Sequence, residues 1–129
     1  FPRVRWTHSD KQREWIEYKA EQLFELQPKL SQISNQGYGQ QSIYCQTVCH
    51  PQLREVFEIV KPQRTNKIVT VSWLAKISYE GLAWWYMDDG SLSFTKAGSP
   101  IIQFHTEGYS YEENQLIASW LTELGYITT

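Results

Sequence analysis

Gly81-Leu82-Ala83-Trp84-Trp85-Tyr86-Met87-Asp88-Asp89-Gly90 is the stretch on which the reading of this chain turns. Apolar side chains run from Leu82 to Met87 without a polar break. A helix of that composition needs cover on all sides. Two adjacent carboxylates follow, and they cannot be buried without a cation or several donors. Gly90 permits the left-handed exit that commonly ends a helix. The arrangement contains an electrostatic conflict. The C-terminal end of a helix is negative and favours cations, yet here it presents Asp88 and Asp89. A bound divalent metal ion would resolve that conflict.

Working outward, Ser78 is a plausible N-cap for this helix, with Glu80 and Gly81 in its first turn. Val69 to Ile77 reads as a short helix or turn leading in. Before it, Lys61-Pro62-Gln63-Arg64-Thr65-Asn66-Lys67 has no apolar residue and reads as a basic linker. After Gly90, Leu92 and Phe94 alternate with Ser91, Ser93 and Thr95, the period of a strand. Lys96 to Pro100 is a hairpin turn, and Ile101 to His105 is the return strand. Ser110 with Glu113 forms a capping-box signature. The helix it opens carries Leu116, Ile117, Trp120, Leu121 and Leu124 on one face and ends at Gly125. Tyr126 to Thr129 reads as the start of a new strand.

The first half has related punctuation. Val4, Trp6 and His8 alternate with Arg3, Arg5 and Thr7 as a strand. Ser9 or Asp10 then caps a helix whose stripe is Trp15, Ile16, Lys19, Leu23, Phe24 and Leu26, and which ends before Pro28. Lys29 to Ser34 and Ser42 to Val48 read as strands of a hairpin around Asn35-Gln36-Gly37-Tyr38-Gly39. His50 caps a further helix with Pro51 at its first position and Leu53, Val56, Phe57 and Val60 as its stripe. The order strand, cap, amphipathic helix thus occurs twice, at Val4 to Leu26 and at Ile102 to Leu124, with Trp6 corresponding to Phe104. This is a weak internal repeat. Each copy lacks elements that the other has, so the chain reads as the middle of a two-repeat protein. The missing initiator Met supports that expectation.

Composition sets limits. Of 129 residues, 41% are hydrophobic and 15% aromatic, enough for a real core. No apolar run approaches the roughly 20 residues that span a membrane, and Phe1-Pro2-Arg3 has no signal-peptide character. A net charge of −2 argues mildly against a nucleic-acid binder. Distribution matters more than the sum. Acids concentrate between Glu14 and Glu25 and between Glu107 and Glu123, whereas Arg3, Arg5, Lys61, Arg64, Lys67, Lys76 and Lys96 lie outside those stretches. On one strand Cys45 and Cys49 would share a side but lie too far apart to bridge. Without a second pair they make no zinc site, and both read as reduced structural thiols. His50 beside Cys49 does not complete a ligand set.

Leu82 to Gly90 resembles the signature helix of the LAGLIDADG homing endonucleases. Its form, Leu-Ala-x-Trp-x-Met-Asp-Asp-Gly, looks like a subgroup of intron-encoded endonucleases and maturases of organelles, bacteria and phages. His8-Ser9-x-Lys11-Gln12 before Trp15-Ile16 is similar to the segment between the two motifs of that family. Thr106-x-x-Tyr109-Ser110-x-Glu112-Glu113 is similar to the segment after the second motif. The resemblance implies an α+β fold, an αββαββα unit repeated about a pseudo-twofold axis with antiparallel saddle sheets, truncated here at both ends. Residues 1–60 would be the C-terminal part of the first repeat and 61–70 the linker. Residues 71–129 would be the N-terminal part of the second repeat with its signature helix. The resemblance also implies an intracellular protein.

The implied activity is site-specific cleavage of double-stranded DNA by metal-dependent phosphodiester hydrolysis. Asp89 would hold Mg²⁺ or another divalent cation, with Asp88 as a neighbour of open role. Mg²⁺ on few carboxylates and several waters suits such chemistry. Ala83 and Met87 would face a second signature helix, through which the chain is expected to self-associate. Trp84 stands where the family consensus has Gly, so the packing must differ from the tightest pairs. The resemblance gives a residue near the strand end the task of holding a water, which fits Gln103 or Glu107; read without it, both are solvated polar residues. Arg3, Arg5, Thr7, Ser91, Ser93, Thr95, Lys96 and Gln103 lie on strands or turns that could contact phosphates and bases. His8 and His105 read as packing or surface residues. Two other classes stay open: a maturase that binds intron RNA without cutting, and a DNA-binding module that has lost catalysis. The retained acid pair favours the nuclease, because a pure binder does not need it.

Overall fold

Alternating side chains and well-capped helices build two separate packing systems. The computed structural model describes residues 1–34 and 41–128. It divides into two units, Phe1–Glu58 and Ile59–Thr129. Helices and antiparallel strands mix in both, which makes the chain α+β. No helix among the described residues is long and apolar enough to cross a membrane.

In the first unit, β1 (Arg5–Ser9) leads through a 3-10 turn (Asp10–Gln12) into α1 (Arg13–Gln22). The Ser9 hydroxyl caps that turn by accepting from the Lys11 N–H at 3.3 Å. Strands β2 (Lys29–Ser34) and β3 (Gln41–Gln46) complete an antiparallel sheet of order β1-β3-β2. The expected turn Asn35–Gly39 lies outside the described residues. Pairing aligns Trp6, Cys45 and Leu30 in one row and His8, Ile43 and Gln32 in the next. Ile43 and Cys45 are buried with Ile16 of α1, and Trp6 and Ala20 pack against them. Burial pushes the Cys45 thiol up, against smaller opposing effects of the Gln46 backbone and Lys19, so it stays protonated and inert.

Lys19 is also buried, at 4% exposure. Its ammonium lies 2.9 Å from His8 Nε2 and over the rings of Trp6 (5.6 Å) and Trp15 (5.1 Å). These contacts replace part of its lost hydration.

Several boundaries differ from expectation. The helix stops at Gln22, and a 3-10 turn (Phe24–Leu26) carries the chain to Gln27, which takes a left-handed φ of 51° just before Pro28. That change of path leaves Phe24 70% exposed, outside the stripe. Strand β3 ends at Gln46 because Thr47 and Val48 donate instead to the carbonyls of Val4 and Leu26. Cys49 is therefore off the strand and exposed, whereas Cys45 is buried; both are free. Pro51 and Gln52 form a turn, so α2 runs only over Leu53–Val60. His50 still serves its start, its ring accepting from the Gln52 N–H at 3.2 Å and its carbonyl from the Leu53 N–H at 3.1 Å.

In the second unit, Thr70 caps α3 (Val71–Ala75) and Ser78 caps α4 (Tyr79–Asp89). The hairpin of β4 (Gly90–Phe94) and β5 (Pro100–Phe104) follows directly. Gly98, at φ 86°, supplies the left-handed residue of its turn. The capping box of Ser110 and Glu113 opens α5 (Tyr111–Glu123). Val69, Leu74 and Ile117 form the buried centre, surrounded by half-buried residues that include Trp73, Trp85 and Trp120. Tyr126 to Thr128 is not a strand. The Tyr126 N–H turns back to the Leu121 carbonyl at 3.1 Å, beyond Gly125 at φ 98°.

Cover of α4 on all sides is not what the structure shows. Leu82 is buried, Trp85 packs on Phe104 (5.2 Å) and Trp120 (6.3 Å), and Tyr86 meets Phe104 edge-on at 6.2 Å. Ala83 is exposed and Met87 is 50% exposed. Positions 83 and 87 are one helical turn apart and share a stripe, opposite the packed one.

Candidate active site and nucleic-acid interface

The distinctive local geometry is the passage from α4 into β4 with no intervening loop. Gly90 makes it possible, though not through a left-handed conformation. Its φ of −99° and ψ of 163° are extended, and its N–H still donates to the Tyr86 carbonyl. A Cβ at Gly90 would lie 2.6 Å from that carbonyl oxygen and would collide with the Tyr86 ring. Glycine is required here by close approach, not by handedness.

This junction sets Asp88 and Asp89 at the end of α4, both exposed. The last turn of α4 has no basic residue, and the field at that helix end is unfavourable to carboxylates. The Asp89 carbonyl accepts from the His105 N–H at 2.9 Å, which ties the end of α4 to the residue after β5.

The loop after His105 is held by α5. Asn114 Nδ2 donates to the carbonyls of Thr106 (3.1 Å), Tyr109 (3.2 Å) and Ser110 (3.0 Å). Burial first, then the negative charges of Asp89 and Glu113, push the Tyr109 phenol up. It therefore remains neutral, and its dependence on Asp89 places the two in one electrostatic neighbourhood. Glu113 accepts from the Val69 N–H at 2.8 Å and the Ser110 N–H at 3.1 Å, and these bonds hold its carboxyl below the usual range. Glu107 is lowered by its own backbone N–H and by His105, whose Nδ1 lies 3.5 Å from its carboxylate.

Among the described residues, no three His, Cys, Asp or Glu side chains gather closely enough to hold a metal ion. Asp88 and Asp89 are thus the donor set to test. Two adjacent exposed carboxylates suit a hard cation such as Mg²⁺, which takes one or two carboxylates and keeps several waters. They do not provide the four closed ligands of a structural zinc site.

Of the candidate DNA-contacting residues, Arg5 and Thr7 lie on a sheet face of the first unit and Ser91, Ser93 and Gln103 on one of the second, while Arg3, Thr95 and Lys96 lie off the strands. Ser91 pairs with Gln103 and Ser93 with Ile101 across the hairpin, so Ser91, Ser93 and Gln103 share a face. Thr95 anchors the turn, its hydroxyl accepting from the Ser99 N–H at 3.1 Å, and Lys96 is exposed within that turn. Leu92, Phe94 and Ile102 occupy the opposite face and are exposed.

In the first unit Arg5 and Thr7 lie on the face away from α1. Pairing adds residues that the sequence reading did not single out. One row is Arg5, Gln46 and Lys29; the next is Thr7, Tyr44 and Ser31. Alternation in the two hairpin segments was the available signal. Arg3 precedes the strand, and its guanidinium donates to Cys49 Sγ at 3.1 Å. Arg3, Lys29, Ser31, Tyr44, Gln46 and Cys49 help to line an open cavity of about 430 Å³ that contains no carboxylate.

A family model described as the LAGLIDADG DNA endonuclease family matches residues 2–125. Nothing matches among curated proteins or among solved structures.

Proposed function

This chain belongs to the LAGLIDADG DNA endonuclease family, whose members act generally as homing endonucleases or maturases, and on that premise we propose that it cuts double-stranded DNA at a specific site. The observation that carries the reading is the exposed Asp88–Asp89 pair at the point where α4 becomes β4, the strand that carries Ser91 and Ser93 opposite Gln103 and Ile101. Asp89 is the proposed holder of Mg²⁺ or another divalent cation, with Asp88 beside it. The chemistry such a cation supplies when bound is neutralisation of phosphate charge and activation of water. Gln103, opposite Ser91 and two residues from His105, offers an amide that can orient a water. Ser91, Ser93 and Lys96 in one unit, and Arg3, Arg5 and Thr7 in the other, are the proposed DNA contacts. Residues 1–60 and 71–129 are proposed as parts of two successive repeats, joined by 61–70.

The test is incubation of the chain with supercoiled plasmids carrying intronless candidate sites, with and without Mg²⁺. Nicked or linear product that needs Mg²⁺, and that Asp89→Asn loses while duplex binding persists, supports the proposal. No cutting of any duplex, combined with tight binding to intron RNA, would overturn it in favour of a maturase.

A further inference from the structure

Asp89 is the last residue of α4, and its carbonyl is held from outside the helix, by the His105 N–H at 2.9 Å. Gly90 pairs with Phe104, so that bond carries the β4–β5 ladder one step further, onto the helix end. How firmly Asp89 sits therefore depends on what holds the chain at His105. The next residue, Thr106, is fixed by one side chain of α5. Asn114 Nδ2 donates to the Thr106 carbonyl at 3.1 Å, and the Thr106 hydroxyl donates to Asn114 Oδ1. The same Nδ2 reaches the carbonyls of Tyr109 (3.2 Å) and Ser110 (3.0 Å), so its two hydrogens serve three acceptors. Among the described residues no other side chain bonds to those three carbonyls. Helix α5 in turn packs on α4 through Trp120 and Trp85, 6.3 Å apart. From α4 through Asp89, His105, Thr106, Asn114 and α5 back to α4, the contacts close a frame.

We propose that Asn114 is the positioning residue of the cation site: by closing this frame it holds Asp89 in one orientation for the ion. This rests on the reading of Asp89 given above. An ion that takes only one or two carboxylates and otherwise keeps its waters depends on each carboxylate being set in place beforehand. Outer partners that orient a ligand are worth roughly 10- to 100-fold in metal affinity. The amide suits the task because it donates on one side and accepts on the other. An Asp at this position would set an oxygen against three carbonyls, which is worse than removing the group. Glu113, one residue earlier, bonds to the Val69 and Ser110 N–H groups instead, so it acts on the start of α5 and not on Thr106. Tyr109, whose carbonyl Asn114 holds, has a phenol that feels the charge of Asp89. The clamped loop and the carboxylate are thus neighbours.

The test is terbium(III) titration of the whole 129-residue chain, read by luminescence. It compares wild type with Asn114→Ala, Asn114→Asp, Thr106→Val, Thr106→Ser and Ile117→Val, each below its melting transition. Ile117 is buried in the core of the same unit, away from the clamp bonds, so Ile117→Val lowers stability alone. Asn114→Ala is expected to raise the half-saturating terbium concentration roughly 10- to 100-fold, and Asn114→Asp at least as far. Thr106→Val should weaken binding in the same direction, whereas Thr106→Ser keeps the hydroxyl and should bind as wild type does. Ile117→Val should melt earlier and bind the ion unchanged. The His105 amide should exchange its hydrogen faster in Asn114→Ala than in Ile117→Val. Wild-type affinity in Asn114→Ala overturns the inference. So does an equal loss in Ile117→Val, which would reduce the effect to stability. Should both Asn114 variants fail to fold, the Thr106 pair decides, and equal affinity of Thr106→Val and Thr106→Ser overturns the inference. Asp89→Asn separates the two levels. If it binds terbium as wild type does, the reading of Asp89 itself fails. If it loses the ion while Asn114→Ala keeps it, only the role of Asn114 fails.

Discussion

Gly90 shows how one missing side chain fixes the direction of the chain. Its extended backbone suits any residue; the proximity of Tyr86 does not. Gly90→Ala is therefore expected to cost roughly 1–3 kcal/mol through overpacking, measured by chemical denaturation. A neutral substitution would show that Tyr86 moves aside freely. That a glycine ends the helix was legible in the sequence, but its reason was not. The alternation of Leu92 and Phe94 begins immediately after it, and that pattern pulls Gly90 into the strand. Glu113 carries a second prediction. Its folded-state pKa lies below its unfolded value, so its contribution is complete above the unfolded value and is lost as pH falls through the folded one. Glu113→Gln should cost about 1 kcal/mol at neutral pH, and the gap from wild type should close as the carboxylate is titrated. A gap that stays constant into acid would contradict this account.

Helix α4 is the element whose surroundings were least legible. An unbroken apolar run such as Leu82 to Met87 has no period, so it cannot indicate which face is covered. The capped helices α4 and α5 were legible because Ser78 and Ser110 make local bonds that short-range sequence determines, whereas the Thr70 cap of α3 was not singled out. The two stripes of α4 separate in their expected responses. Leu82→Ala should destabilise by about 2–4 kcal/mol, since it removes packed volume. Met87→Glu should leave stability within about 0.5 kcal/mol. The same change should abolish concentration-dependent association of the chain in sedimentation experiments, if the Ala83–Met87 stripe is the surface through which copies meet. Association equal to wild type in Met87→Glu would remove that stripe from the interface.

For the molecule as a whole, family membership over residues 2–125 was legible from local strings, because the acid-ended helix and its flanking caps are contiguous in sequence. The outer face of the first sheet was not, because Lys29, Tyr44 and Gln46 join Arg5 and Thr7 only through strand register. A single Asp-Asp-Gly helix is present in the sequence. Acting alone, the chain is therefore expected to nick DNA slowly, and plasmid assays should show open circles before linear product. The central claim is that Asp89 holds the cation used for cutting. Terbium(III) luminescence tests it most directly, because Trp84 and Trp85 lie within the same motif and can sensitise an ion bound beside them. Wild type should give emission that Mg²⁺ displaces, and Asp89→Asn should lose it with the fold intact. Equal emission and equal terbium affinity in Asp89→Asn would contradict the assignment.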